Sequence, residues 1–300
     1  MRNLLSTKDQ RQLRLMETLI QNRNWMKLHE LAEKLGCTER ILKSDLNELR
    51  AAFPTINIQS SINGIMIDLE VNTSVEDVYQ YFLAHSQSFQ LLEYLFFNEG
   101  LPIYRTIENL HSSNANLYRL GRNITKTLST QFQIELSFTP SEIRGNEIDI
   151  RYFFAQYFSE RYYFLDWPFP DLPEEDLTEF ADFFYKITNY PMRFSIHRMY
   201  KLMIAISIYR IKNGHFIDLP NHFNEEYYPL LMGIPNFEEI LVHFSEKLGL
   251  EITPDIIAQI FISFIQNNLF LDPQEFFNSL EENSEARYSY QLLSQILERL

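Results

Sequence analysis

The chain has 300 residues, 26 Lys+Arg against 40 Asp+Glu for a net charge of −14, and is 45% hydrophobic and 22% charged, a globular composition long enough for two or three domains. Only eight glycines, with no GxxxxGK[ST] or GxGxxG run, exclude the phosphate-cradling loops of nucleotide-binding folds, and the single cysteine, Cys37, excludes an intramolecular disulfide or a CxxC site. The longest apolar runs, at 202–209 and 260–265, fall far short of a bilayer span, and the first residues lack the apolar region of an export signal, so a cytoplasmic chain without membrane contact is expected.

In chain order, Leu13, Met16, Leu19 and Ile20 recur at helical spacing, and Leu28, Leu31, Ala32 and Leu35 do so again. Gly36-Cys37 interrupts the pattern, and Thr38 stands as an N-cap before a third helix marked by Ile41, Leu42, Leu46, Leu49 and Phe53. Two apolar strands, 56–58 and 65–69, then flank Asn63-Gly64, a hairpin signal. Helix, helix, turn, helix and hairpin make a winged helix-turn-helix over 1–72.

The pattern returns 75 residues later, after a linking helix near Val75–Ala84. Leu28 matches Ile103, Leu35 matches Leu110, Thr38 matches Ser113 and Leu42 matches Leu117. A helix over 89–98 precedes this second set, and Leu117, Leu120, Ile124 and Leu128 face inward on its last helix. Strands at 133–138 and 147–150 around Gly145-Asn146 are expected to form the second wing, completing 73–151. The fold class is therefore mostly α with small β-hairpin wings, in two tandem winged modules.

Aromatics, 25 Phe and 17 Tyr in all, gather after residue 150, as a helical core requires. A helix from 148 to 164 ends in the rigid turn Asp166-Trp167-Pro168-Phe169-Pro170. Helices over 174–187, 196–212, 236–248, 254–267 and 273–280 follow, giving an all-α bundle at 165–272. The segment 273–300 reads as the start of a further helical domain that the chain does not complete.

Charge separates the halves. Residues 1–151 hold 16 basic and 18 acidic side chains, and the remainder 10 and 22, so any polyanion contact belongs to the first half. The first recognition helix offers Arg40, Lys43 and Arg50 but also Glu39, Asp45 and Glu48, for zero net charge. The second offers Arg119, Arg122 and Lys126 with Asn114, Asn116 and Asn123 and no acid. Basic side chains neutralise phosphates, and Arg and Asn pair with guanine and adenine edges. The second helix is therefore expected to carry most of the affinity for double-stranded promoter DNA, with the protein pairing as a dimer on two half-sites.

The two winged modules, the Asp-Trp-Pro-Phe-Pro turn and the helix containing Phe194-Ser195-Ile196-His197-Arg198 and Ile208-Tyr209-Arg210 together resemble the Mga/AtxA family of Gram-positive virulence transcription regulators. The resemblance implies that 165–272 is a phosphotransferase-system regulation domain, that 273–300 opens a second one, and that the family's EIIB-like domain is not in this chain. It further implies that the phosphocarrier protein HPr phosphorylates His197, with His215 in Asn213-Gly214-His215-Phe216 as the second candidate. A phosphoryl group there would place nearly two negative charges beside Arg193, Arg198 and Lys201. Activity on virulence or carbohydrate-responsive genes is what the resemblance implies.

Other arrangements fit no chemistry. His215 and His222 with Glu225 and Glu226 lack metal-ligand spacing, Glu174-Glu175-Asp176 reads as an acidic first helical turn, and no GxSxG surrounds a serine. Neither an enzyme nor a cofactor is expected. The reading from a different class is a protein-interaction adaptor that keeps the winged folds and binds partners through its acidic half.

Overall fold

The computed structural model describes residues 1–22, 24–68, 74–162, 166–188, 194–219 and 236–266, with backbone alone at 184–188, 194–196 and 263–266. The expected helices beyond 272, His222, Glu225, Glu226 and Arg193 lie outside the described residues. The chain divides into two compact units, Met1–Pro168 and Phe169–Leu300.

The first unit opens with a single 3-10 turn and α1 (Thr7–Asn22), then α2 (Leu28–Lys34) and α3 (Glu39–Ala52). Leu13, Met16, Leu31, Leu42, Leu46 and Leu49 are buried together as their spacing predicts, each contributing about 1.5–3 kcal/mol of apolar burial. Ile41 differs from expectation. It is 40% exposed, because the inner stripe of α3 runs 42, 45, 46, 49 and leaves 41 one position outside it. Thr38 accepts from the Ile41 amide at 3.3 Å and starts the helix as predicted.

Strands β1 (Asn57–Ser61) and β2 (Gly64–Asp68) pair antiparallel, Ser61 opposite Gly64, so the chain turns on Ile62-Asn63, one residue earlier than the Asn-Gly signal suggests. Gly64 serves a different purpose. Met26 pairs with Ile65 through two backbone bonds of 2.9 and 2.8 Å, and a Cβ on Gly64, at φ +126°, would lie 2.0 Å from the Met26 carbonyl oxygen.

After α4 (Val75–His85) and α5 (Gln87–Phe97), α6 (Ile103–Asn109) and α7 (Asn114–Leu128) repeat α2 and α3. The repeat extends to individual bonds. Cys37 and Ser112 donate their amides to Ala32 and Ile107, Gly36 and His111 donate theirs to Glu33 and Glu108, and Thr38 and Ser113 cap the helices that follow. Gly36 and His111 both take positive φ, +62° and +45°.

The second wing is β3 (Glu135–Phe138) and β4 (Ser141–Arg144), paired around Thr139-Pro140. This corrects the expected hairpin around Gly145-Asn146. Asn146 instead accepts from the Ile148 and Asp149 amides and caps α8 (Glu147–Arg161), since an Asn before an acidic turn satisfies helix donors as readily as it turns a hairpin. The aromatic face of α8 packs on α5: Tyr157 stacks on Phe89 at 5.1 Å, and Phe154 meets Phe96 at 4.5 Å. Tyr157 and Tyr162 both donate to Glu93, at 2.9 and 2.5 Å. Burial, reinforced by this carboxylate, pushes both phenols above their ordinary pKa.

Second-unit elements are α9 (Glu174–Thr188), α10 (Phe194–Lys212), α11 (Phe237–Leu248) and α12 (Pro254–Gln266). Residues 201–208 of α10 are buried on every face, so α10 is the central helix, packed by α9 and α12. Phe180 of α9 meets Phe244 of α11 edge-on at 4.9 Å. The Gln259 amide holds both backbone groups of Ile217 at 2.7 and 2.8 Å, fixing the loop that follows α10. Among the described residues no helix is long and apolar enough to cross a membrane.

Candidate nucleic-acid interface

The outer face of α3 is built by what the inner face absorbs. Asp45 is 2% exposed and accepts from Arg11 at 2.6 Å and from Gln12 at 3.0 Å. Glu48 pairs with Lys8 at 2.5 Å and accepts from Gln12, and these partners hold its carboxyl below the ordinary range. Two of the three acids are therefore directed at α1. Arg40, Lys43, Ser44 and Asn47 remain exposed at the i, i+3, i+4, i+7 spacing of one helix face.

Zero net charge is thus a poor description of what α3 presents, and Ser44 and Asn47 join the expected residues. The signal for this lay in the sequence: position 45 falls on the stripe of Leu42, Leu46 and Leu49. Arg50 behaves differently from expectation. Its guanidinium donates to the Ile58 carbonyl at 3.0 Å and to the Ser60 hydroxyl at 2.5 Å, binding the wing to the helix.

On α7, Arg119, Arg122, Asn123 and Lys126 are exposed along one face, and the helix carries no acid. Asn114 is exposed in its first turn. Asn116 is half-buried and occupied: it donates to Ser112 at 2.9 Å and accepts from Arg119 at 2.7 Å, so it orients that arginine. Thr125, 75 residues after Arg50, takes over the wing contact by accepting from the Leu136 amide at 3.0 Å. The Phe138 ring of the wing meets Tyr118 at 5.2 Å.

One body carries both faces. Glu17 of α1 holds Arg2 at 2.5 Å, Arg2 lies over the Tyr79 ring, and Tyr79 of α4 donates to Glu160 of α8 at 2.5 Å. Burial and Glu160 raise the Tyr79 pKa, so this bond keeps its proton through the ordinary pH range. The tip of the first wing presents Ile62, 94% exposed, with its carbonyl held by Lys27 at 3.0 Å; no charge pattern pointed to it.

In the second unit, His197 lies in the first turn of α10. Its Nε2 is shielded from solvent without a hydrogen bond and stands 3.7 Å from Asp182 of α9. Burial lowers its pKa, aided by Lys201 and opposed by Asp182 and Glu174, so the imidazole is neutral at neutral pH. Lys201, expected beside a phosphoryl group, pairs with Glu174 at 2.5 Å, and Arg198 stands 4.0 Å from the same carboxylate. His215 is half-buried in the loop that Gln259 fixes. Among the described residues no cluster of three or more His, Cys, Asp or Glu side chains could hold a metal ion.

Comparison with known proteins agrees with this arrangement. Residues 6–65 match the M protein trans-acting positive regulator (MGA) HTH domain, 71–158 the Mga helix-turn-helix domain, and 173–300 the M protein trans-acting positive regulator (MGA) PRD domain. The chain belongs to the Mga family. It is 41% identical over 301 residues to the "Putative trans-acting regulator" of Streptococcus pneumoniae serotype 4, covering 100% of this chain and 61% of that protein. It is 24% identical over 293 residues to the capsule synthesis positive regulator AcpA of Bacillus anthracis, covering 93% and 59% respectively. The chain thus spans about three fifths of the length of these curated relatives. The names of the matched families and relatives are those of regulators, not enzymes.

Proposed function

We propose that this Mga-family chain is a transcription regulator that binds promoter DNA through the outer faces of α3 and α7, as a dimer in the cytoplasm. The observation that carries the reading is the direction of charge. Asp45 and Glu48 are turned to α1, while Arg40, Lys43, Arg119, Arg122 and Lys126 point outward. Phosphates attract such a surface whatever the net charge of the whole molecule. The AcpA relative, a positive regulator of capsule synthesis by name, supports activation of virulence or carbohydrate-responsive genes as the output. The match to the PRD domain supports control by HPr, with His197 as the proposed acceptor.

Anisotropy of a labelled duplex across a salt series tests this reading. Five phosphate contacts give a slope of log K against log salt of about −4.5, and salt-independent or absent binding overturns it. With two of its acids turned inward, the zero net charge of α3 does not favour the adaptor reading, whose support is the acidic second unit.

A further inference from the structure

The placement of α9 against α10 says how a phosphoryl group would be received. We propose that Asp182 gates His197 against phosphorylation, and that once the group enters, Lys201 leaves Glu174 to neutralise it. The inference rests on reading His197 as the phosphoryl acceptor.

Three observations carry it. First, His197 Nε2 is shielded, and the nearest acid, Asp182, stands at 3.7 Å, too close to admit a phosphorus and its oxygens between them. A group bringing close to two negative charges is repelled by that carboxylate, so Asp182 must withdraw before the nitrogen can react. Second, Lys201 lies one helical turn beyond His197 on the same face of α10, and its ammonium is held by Glu174, the first residue of α9. Glu174 carries at most a single negative charge, and a phosphoryl group on the neighbouring turn outbids it for the ammonium.

Third, apart from the 4.0 Å approach of Arg198 to Glu174, the remaining charged contacts of α9 among the described residues run to α11. Asp176 and Glu179 pair with Lys247 of α11, and Glu179 accepts from His243 at 2.9 Å. Phosphorylation would therefore break the Asp182–His197 and Lys201–Glu174 links of α9 to α10, leaving the longer approach of Arg198 to Glu174, and keep those to α11 intact. The first two turns of α9 would loosen from α10 while α11 retains them. Asp182 is a positioning residue in this account: it does not touch the donor, but sets whether the nitrogen is reachable.

Phosphoramidate, a small donor that needs no docking surface, tests the gate directly. The neutral imidazole Nε2 lone pair forms the N–P bond as the P–N bond of phosphoramidate breaks, and ammonia leaves and takes up the ring proton as ammonium. Labelling is followed by mass spectrometry of the peptide containing His197, with His197→Gln as the site control among the seven histidines. Asp182→Asn should label about three- to fivefold faster than wild type, the size of one exposed charge pair, and Asp182→Glu should stay slow. Hydrogen exchange over Glu174–Thr188 should quicken on labelling, while that of α11 stays constant.

Equal labelling rates in the wild type and Asp182→Asn, with melting temperatures showing both folded, overturn the gate. So does labelling of urea-unfolded chain alongside none in either folded form. A parallel reaction with the phosphorylated phosphocarrier separates the two ideas: if it labels neither chain while phosphoramidate distinguishes them, the gate stands and the assigned donor falls.

Discussion

Helices α3 and α7 hold the same place in two copies of one scaffold and reach a basic outer face by different routes. In α3, two of the three acids are turned toward α1: Asp45 occupies a core position and requires Arg11 and Gln12 to satisfy it. In α7 the equivalent position is Leu120, which needs no partner, and acids are absent altogether. The first solution couples α3 to α1 through charge, and the second couples α7 to its wing through Phe138 and Thr125. Surface charge on a recognition helix is therefore a property of its packing as much as of its composition.

The largest effect should come from breaking the first solution. Asp45→Ala leaves Arg11 without its acceptor and takes one of two from Gln12 at a site 2% exposed, and losing one partner of such a pair costs about 3 kcal/mol. Urea denaturation of the variant measures it. The double variant Asp45→Leu/Arg11→Leu, which imitates the second module, should recover most of the loss. Failure to recover would show that the ion pair, and not its apolar equivalent, is what the first module requires.

Next in size is Gly64→Ala, which has no counterpart in the second wing. Its Cβ would meet the Met26 carbonyl at 2.0 Å, and the resulting displacement should cost about 2 kcal/mol. A parallel loss of duplex binding would show that the Met26 strand holds the wing in its working position.

Paired charge removals then sharpen the comparison on DNA. Arg40→Ala/Lys43→Ala and Arg119→Ala/Arg122→Ala should each make the salt slope shallower by about 2. Equal changes would show that both helices reach phosphates. A change confined to the second pair would restore the expectation, drawn from net charge alone, that α7 dominates.

How far the sequence carried the reading follows from the same contrast. Helix periodicity and the caps Thr38 and Ser113 were legible because they depend on neighbours in the chain. Asn146 was misread because a hairpin turn and a helix cap use the same side chain, and only the pairing of Glu135 with Arg144 distinguishes them. At the site, Arg40, Lys43, Arg119 and Arg122 were legible as exposed cations. The diversion of Arg50 to Ser60, of Asn116 to Arg119 and of Lys201 to Glu174 was not, since each partner is set by tertiary packing or by a choice among local acceptors.

A smaller test uses the turns that precede α3 and α7. Gly36 and His111 make matching backbone bonds at positive φ, yet only glycine takes that conformation without a clash of its Cβ. Gly36→Ala should destabilise by about 1 kcal/mol, and His111→Gly should stabilise by somewhat less, because glycine also loses more entropy on folding.

The smallest effect belongs to the second unit and to pH. The pKa of His197 lies below its ordinary 6.5 in the folded chain, chiefly through burial and the nearby Lys201. As pH falls below about 6.5, the unfolded chain takes up this proton first, so acid favours unfolding and stability is greatest above that value. The loss continues until pH passes the folded pKa, where both states are charged and the difference stays constant. His197→Gln should flatten the stability profile of the second unit between pH 6.5 and the folded pKa while leaving the first unit's unchanged, as followed by hydrogen exchange in α10 and in α7. Asp182→Asn should steepen it, since that carboxylate favours the protonated ring; the opposite change would mean that the 3.7 Å contact is not felt by the imidazole.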